Sequence, residues 1–362
     1  MFRSRKRKKD FSSLWTVVVI ALFLSFAIQA CKPSAKTLDI YWVDVEGGGG
    51  TLIVTPAGES VMVDAGLPGE RDPGRIHKLA TEVAGLKKID HMITTHFDAD
   101  HYGGTADLAR LMPIGRLYDT GVPDANPNPQ DKNEGRFQKM IAGYRAVEVD
   151  EKVMIHAGDI IPLLQPDGQP PLRLRVLAAR QQFIAPERGQ PENPLCGEAK
   201  TKEDTIDDNA NSVVFLLEFG PFKFYDGADL LFSLEKDLVC PVNVVGEVDV
   251  FQVSHHGLDR SNNPVLVHSL APTVAVMVNN PQKGCEAETV ATLRSTPSIQ
   301  ATYQLHKNLK ESQESLNAPD DYIANLERDC KANYIKLSVA PDGKSYTITI
   351  PGTGHSRTYK TK

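Results

Sequence analysis

The sequence predicts an α+β fold in which two mixed β-sheets face each other and carry helices on their outer sides. Three observations lead there. Short β-rich apolar segments come in runs, broken by Gly and Pro. Helical segments are interleaved among them without strict strand–helix alternation. The composition of the 362-residue chain, 41% hydrophobic and 24% charged, is that of an ordinary globular protein.

The elements follow in order. After a Lys/Pro/Ser linker come "LDIYWVDV", "TLIVTP" and "ESVMVDAG", three strand-like runs. "PGRIHKLATEVAGL" has the apolar spacing of a helix and stops near Gly85. "IDHMITT" reads as a buried strand and "GTADLARLM" as a helix packed behind it. "PDANPNPQDKN" is a loop, and "GRFQKMIAGYRAV" a helix. Strands return at "KVMIHAGDIIPLL" and "LRLRVLAA". Residues 181–208 read as a polar insertion. "SVVFLLEFG", "FKFYDGADL", "VDVFQVSHHG" and "TVAVMVNN" are further strands, and "EAETVATLRST" a further helix. "YIKLSVAPDGKSYTITI" is a hairpin turning at Asp342–Gly343. Residues 38–362 thus form one domain with an insertion.

The N-terminus is of another kind. A basic run precedes an apolar stretch from Leu14 to Ala30, and then Cys31, the order of a secretory signal. "AIQAC" resembles a bacterial lipobox. That implies a signal peptide over residues 1–30, lipidation of Cys31, a linker over 31–37, and a membrane-tethered body outside the cytoplasm. An uncleaved anchor is the other reading of the same run. Lys32 and Pro33 after the cysteine favour the outer membrane over the inner. Residues 1–30 hold six Lys/Arg and one Asp, so of the chain's net −6 the remainder carries −11. An acidic body argues against long nucleic acid as a partner. Four further cysteines in an oxidising compartment suggest disulfides. Sequence leaves three connectivities open; the favoured pairs are Cys196–Cys240 and Cys285–Cys330.

The chemistry concentrates in "ITTHFDADHYGG", Ile93 to Gly104. His96, Asp98, Asp100 and His101 crowd into six residues where an apolar strand ends. A polar loop capping a helix is the plain alternative, but it does not require this density. Buried charges of this kind need cations to balance them, and imidazole with carboxylate suits zinc, manganese or iron. Two-metal hydrolytic sites need such converging ligands. The Gly47–Gly50 run is either a flexible turn or a place where backbone approaches the site closely.

"THFDADHYGG" resembles the signature loop of the metallo-β-lactamase superfamily, usually written HxHxDH. Further pieces match in order: "VMVDAG" with Asp64, "FYDGADL" with Asp229, and "VSHHGLDRS" with His255 and His256. "DVEGGGG" and "NANSVVFLLEFG" are similar to segments of the hydrolase domain of competence proteins (ComEC-like). The resemblance covers roughly residues 38 to 285. It implies a four-layer αβ/βα sandwich and a metal site drawn from His96, Asp98, Asp100, His101, Asp229, His255 and His256. It gives Asp64 and Asn209 supporting roles behind the ligands. Two departures stand out. Asp98 replaces the usual second histidine, a change the competence-protein subgroup shares. No mid-chain histidine ligand is evident, and Asn209 occupies its region. One strongly held ion and a second weaker one are therefore expected.

The activity so implied is metal-dependent hydrolysis of a small-molecule substrate, with zinc as the ion and manganese or iron as alternatives. Phosphodiester cleavage ranks first and ester or lactone cleavage second. Asp98 or Asp100 would orient the attacking water, and one of His255 and His256 would protonate the leaving group. A non-catalytic surface scaffold that keeps the fold is the rival from another class.

Overall fold

The computed structural model describes residues 1–2, 35–129, 131–203 and 205–362. The apolar leader and Cys31 lie outside the described residues. Among those residues, no helix is long and apolar enough to cross a membrane. Residues Lys36–Lys362 form one compact unit.

Two nine-stranded sheets make the centre of this unit. The first runs His355–Lys360, Ser345–Ile350, Ile335–Val339, Leu38–Trp42, Thr51–Val54, Ser60–Val63, Ile89–Ile93, Ile114–Asp119 and Glu151–Met154. Its pairings are antiparallel as far as Ser60–Val63 and parallel beyond. The second runs Ile323–Asn325, Ala301–His306, Val274–Met277, Val250–Gln252 and Phe222–Asp226 in parallel. It continues antiparallel through Val214–Phe219, Leu172–Ala179 and Ile160–Ile161, with Gln182–Phe183 on its margin.

Side chains alternate across each sheet, which sorts the apolar residues into layers. Leu38, Ile40 and Trp42 point into a shared core with Phe215, Leu217, Phe219, Phe222 and Phe224 of the other sheet. Tyr41 and Val43 point the opposite way, toward helices Arg71–Lys78, Thr105–Leu111 and Glu134–Arg145. Val214 and Leu216 likewise face Pro264–Leu270 and Ala287–Ser295. Strands buried on both faces read as unbroken apolar runs, which is why the sequence showed them so clearly. Trp42 ties the sheets together: its ring meets Phe224 edge-on and its Nε1 donates to Gln252 Oε1 at 2.7 Å. The result is the expected four-layer sandwich, helices outside and sheets inside.

Three details depart from the sequence reading. A third strand, His355–Lys360, extends the C-terminal hairpin. The 181–208 segment is polar but anchored. Cys196 pairs with Cys240, as the sequence favoured, and Asn193 donates to Val239 O and Ser269 Oγ. The expected Cys285–Cys330 bond is not formed; both are free thiols. Each sulfur has its own surroundings. Cys285 is buried against Gln304 and Met277, and Cys330 lies beside Asp44.

Candidate metal centre

The site is assembled where strands end. Asp64 follows strand Ser60–Val63 in a left-handed conformation (φ 59°). Its Oδ1 accepts from Thr95 N at 2.8 Å, and its Oδ2 accepts from Thr95 Oγ1 and His101 Nδ1, both at 2.7 Å. One carboxylate thereby fixes the loop that bears His96 and the ring of His101.

Glycine makes the approach from the other side. Gly49 N donates to Asp100 O at 3.0 Å, and Gly49 O accepts from Gly66 N at 2.9 Å. A Cβ on Gly48 would lie 2.2 Å from Asp100 O. One on Gly49 would lie 2.6 Å from Asp64 Cβ and 2.7 Å from His101 Nδ1. Of the two readings of the Gly47–Gly50 run, close backbone approach is the one the structure displays.

Four imidazoles enclose the centre, and the tautomer of each ring is assigned from its hydrogen-bond partners. His101 Nδ1 donates to Asp64. His256 Nδ1 donates to Val278 O at 3.0 Å. Ser261 Oγ gives its proton to Leu230 O and accepts from His255 Nδ1 at 3.3 Å. Thr95 Oγ1 gives its proton to Asp64 and accepts from His96 Nδ1 at 3.0 Å. All four rings are anchored outward through Nδ1, which leaves the Nε2 lone pairs facing inward, the pattern of metal-ligating histidines.

On the inward side three Nε2 atoms crowd one carboxylate oxygen. Asp229 Oδ2 is approached by Nε2 of His101 at 3.3 Å, of His256 at 3.3 Å and of His255 at 3.4 Å. His101 Nε2 and His256 Nε2 are 3.2 Å apart. His96 Nε2 is buried and has no partner among the described residues. A buried carboxylate oxygen faced by three imidazole nitrogens requires positive charge between them. The donor set therefore fits divalent cations. Two groups have ligand atoms within 4.8 Å of one another: His96, His101 and Asp229; and Asp100, His101 and His256. A proton on the His101 ring is one source of that positive charge, which a bound cation would displace. Burial opposes charge on the His101 ring, yet Asp229 and Asp64 outweigh it and raise its pKa well above the ordinary value. Burial also opposes charge on Asp229, but His256, His255 and His101 hold its carboxyl well below the usual range.

Not every predicted residue joins these groups. Asp98 precedes helix Ala99–Tyr102, its Oδ2 3.9 Å from His96 Nε2. Burial pushes its pKa up to about 6, with Asp100 and Asp229 adding to the rise against His96 and His101. His255 faces Asp229 but belongs to neither three-ligand group. Burial lowers its pKa to about 3, and lowers that of His256 too. On this assignment both Nδ1 protons point outward, and Nε2 of each ring faces Asp229. Asn209 is buried, its Oδ1 without a partner among the described residues. Its neighbour Asp208 makes the contact with the loop, accepting from Phe97 N at 2.5 Å.

Sequence reasoning missed Lys283. Its Nζ donates to Asp100 Oδ2 at 2.8 Å and to Gly47 O at 3.1 Å. Burial raises Asp100, yet Lys283 chiefly, with His101 and His256, turns the net shift downward. The signal lay in "VNNPQKGC", where a lysine stands between Asn280 and Cys285. Beside Asp98, Asp100 and Lys283 opens a cleft of about 520 Å³, lined also by Phe97, Asn126, Asn128, Arg136, Phe137, Met140 and Asn280.

Residues 46–171 match the family model described as Metallo-beta-lactamase superfamily, whose members are metal-dependent hydrolases. A curated relative is the "Competence protein ComA" of Neisseria gonorrhoeae, 21% identical over 268 residues, or 72% of this chain. The match spans only 30% of that relative's length. Similar solved structures include CmlA, a diiron beta-hydroxylase from Streptomyces venezuelae, at 16% identity and a TM-score of 0.37. It is matched over 68% of this chain and 45% of its own. A subclass B3 metallo-beta-lactamase from a soil metagenome library shares 13% identity over 75% of this chain and 77% of its own, with a TM-score of 0.33.

Proposed function

We propose that the protein is an exported phosphodiesterase that cleaves a small phosphodiester with the help of zinc-type ions. The observation that carries this reading is the cleft. Two cationic side chains, Lys283 and Arg136, line a small cavity beside Asp98 and Asp100; Glu46 and Asp131 line it too, and Lys283 pairs with Asp100 and Arg136 with Asp131. A neutral ester has no anion for them to bind, whereas a phosphodiester does. Phe97, Phe137 and Met140 offer an apolar wall for one ester substituent.

His96, His101, Asp229, Asp100 and His256 would hold the ions. A divalent cation supplies Lewis acidity: it acidifies water and neutralises charge that develops on the substrate. The chain's own groups do the remainder. Lys283 binds a non-bridging phosphoryl oxygen and keeps Asp100 ionised. Asp98, with a pKa near 6, is largely ionised in neutral solution and suited to take a proton from the attacking water. Asp64 keeps the His101 ring in place.

Turnover of bis(p-nitrophenyl) phosphate, p-nitrophenyl acetate and a chromogenic cephalosporin by the zinc-loaded chain tests the reading. The diester should be the preferred substrate, and Asp100→Ala and His101→Ala should each abolish its turnover. Faster acetate or cephalosporin hydrolysis would replace the reading with ester or lactam chemistry. Unchanged turnover in both variants would remove this site from the mechanism. Export and lipid anchoring belong to the same proposal. The Cys196–Cys240 disulfide supports an oxidising compartment. Palmitate labelling that survives Cys31→Ala would refute the anchor.

A further inference from the structure

A second cluster lies behind the glycine loop. Strand Leu38–Trp42 leads to Asp44, which is fully buried, as is His306 at the end of strand Ala301–His306. His306 Nε2 meets Asp44 Oδ1 at 2.7 Å, while its Nδ1 has no partner among the described residues, so the cluster is the ring's only polar anchor. The thiol of Cys330 lies 3.4 Å from Asp44 Oδ2. Glu46 completes the group: one ligand atom from each of Asp44, Glu46, His306 and Cys330 lies within 4.8 Å of the others.

Protein alone balances the charge there only if His306 is protonated against Asp44. Arg75 Nη1 contacts Asp44 Oδ2 at 3.1 Å and Glu46 Oε1 at 3.3 Å, and also donates to Asp44 O at 3.0 Å. With His306 neutral, two carboxylates against one guanidinium leave one negative charge in excess, at a place where a buried charge is costly. A divalent cation that binds Cys330 as thiolate, releasing its proton, brings the sum to zero. Carboxylate, imidazole and thiolate together are a four-ligand set for a borderline-soft ion. Three segments supply them, and none of the four is among the ligands named above, although Glu46 also lines the cleft.

We propose that Asp44, Glu46, His306 and Cys330 form a second metal site, which holds a zinc-type ion in a structural role. Its position gives it a task. The loop that begins at Asp44 runs through Gly48 and Gly49, the residues that touch Asp100 and approach Asp64 and His101. An ion at its root ties that loop to strand Ala301–His306 and to the segment around Cys330.

Cobalt(II) loading of the full chain in detergent is the test, because the hydrolytic centre contains no sulfur. A thiolate-to-cobalt charge-transfer band in the near ultraviolet is expected. Cys330→Ser should abolish it and lower the bound metal by one ion per chain; Cys285→Ser and His96→Ala should keep it. No band in the cobalt-loaded wild type, or a band that survives Cys330→Ser, overturns the proposal. A second measurement needs no variant. Zinc should slow alkylation of Cys330 by iodoacetamide, followed by peptide mass, by about tenfold or more, because a metal-bound thiolate is shielded. Equal rates with and without zinc overturn it as well.

Discussion

Replacing Glu235 with glutamine should make the protein more stable in neutral and mildly alkaline solution. Glu235 is fully buried at the end of the short helix Phe232–Glu235. Its Oε2 accepts from Asn263 N at 2.6 Å, which pins the loop whose Ser261 orients His255. Burial raises its pKa to about 7; the N–H groups of Asn263 and Asn262 and the hydroxyl of Ser254 pull the other way and fall short. In the unfolded chain the group titrates at 4.5. The folded state therefore holds a proton that the unfolded state has lost between those two values. Stability from this group is fully present below pH 4.5 and is lost as pH rises through about 7. The interval corresponds to roughly 3 kcal/mol at pH 8 and about 1 kcal/mol at pH 5. Glutamine stays neutral and retains an oxygen to accept from Asn263 N. Urea unfolding at pH 5 and pH 8, with the disulfide intact, measures the difference. Wild type should lose about 2 kcal/mol more than the variant between the two pH values. Parallel losses, or a variant less stable at pH 8, would refute the reasoning.

Other perturbations act on the site and its frame. Asp64→Asn leaves one of the donors Thr95 N–H, Thr95 O–H and His101 Nδ1–H opposite an amide N–H, so zinc affinity should fall about 10- to 100-fold; titration against a competing chelator reads this. Gly49→Ala places a methyl 2.7 Å from His101 Nδ1 and should cut turnover by about 100-fold or more. Gly135→Ala, in the exposed first turn of a helix, should leave turnover unchanged and raise stability slightly in a thermal melt. The double change Cys196→Ser and Cys240→Ser opens a link between residues 44 apart, which should cost about 4 kcal/mol in urea unfolding.

What the sequence displayed and what it hid have physical causes. Doubly buried strands write continuous apolar runs, so the sheets were legible. The candidate metal centre was legible because three of its side chains, His96, Asp100 and His101, fall within six residues. Strand His355–Lys360 was not, because it is an outer strand where only Tyr359 is buried. Lys283 was hidden because a single lysine in a loop has no pattern; its meaning comes from Asp100, 183 residues away. The Cys285–Cys330 expectation failed for a related reason. Four cysteines can be counted, but only the fold places one thiol against Gln304 and the other against Asp44. The contact between His306 and Asp44 spans 262 residues, beyond any local reading.

The site's position follows from topology. Asp64, His96, Asp229, the His255–His256 pair and Lys283 each come just after a strand: Ser60–Val63, Ile89–Ile93, Phe222–Asp226, Val250–Gln252 and Val274–Met277. Within each sheet these strands run parallel to one another, so their carboxyl ends gather at one edge. In open sheets that edge is where chain reversals leave a crevice for ligands. Here both sheets contribute, one the Asp64 and His96–His101 loops, the other Asp229, the paired histidines and Lys283. His255 and His256 both adopt left-handed backbone, φ 53° and 58°. Two consecutive non-glycine residues in that region are costly. The turn therefore holds its shape only because its surroundings over-determine it, through Ser261, Val278 and Asp229. A change that freed either ring from its outward anchor would release the turn as well as the ring. For this reason Ser261→Ala should weaken zinc binding, read in the same chelator titration, although Ser261 is no ligand; unchanged affinity would show that the turn stands without that anchor.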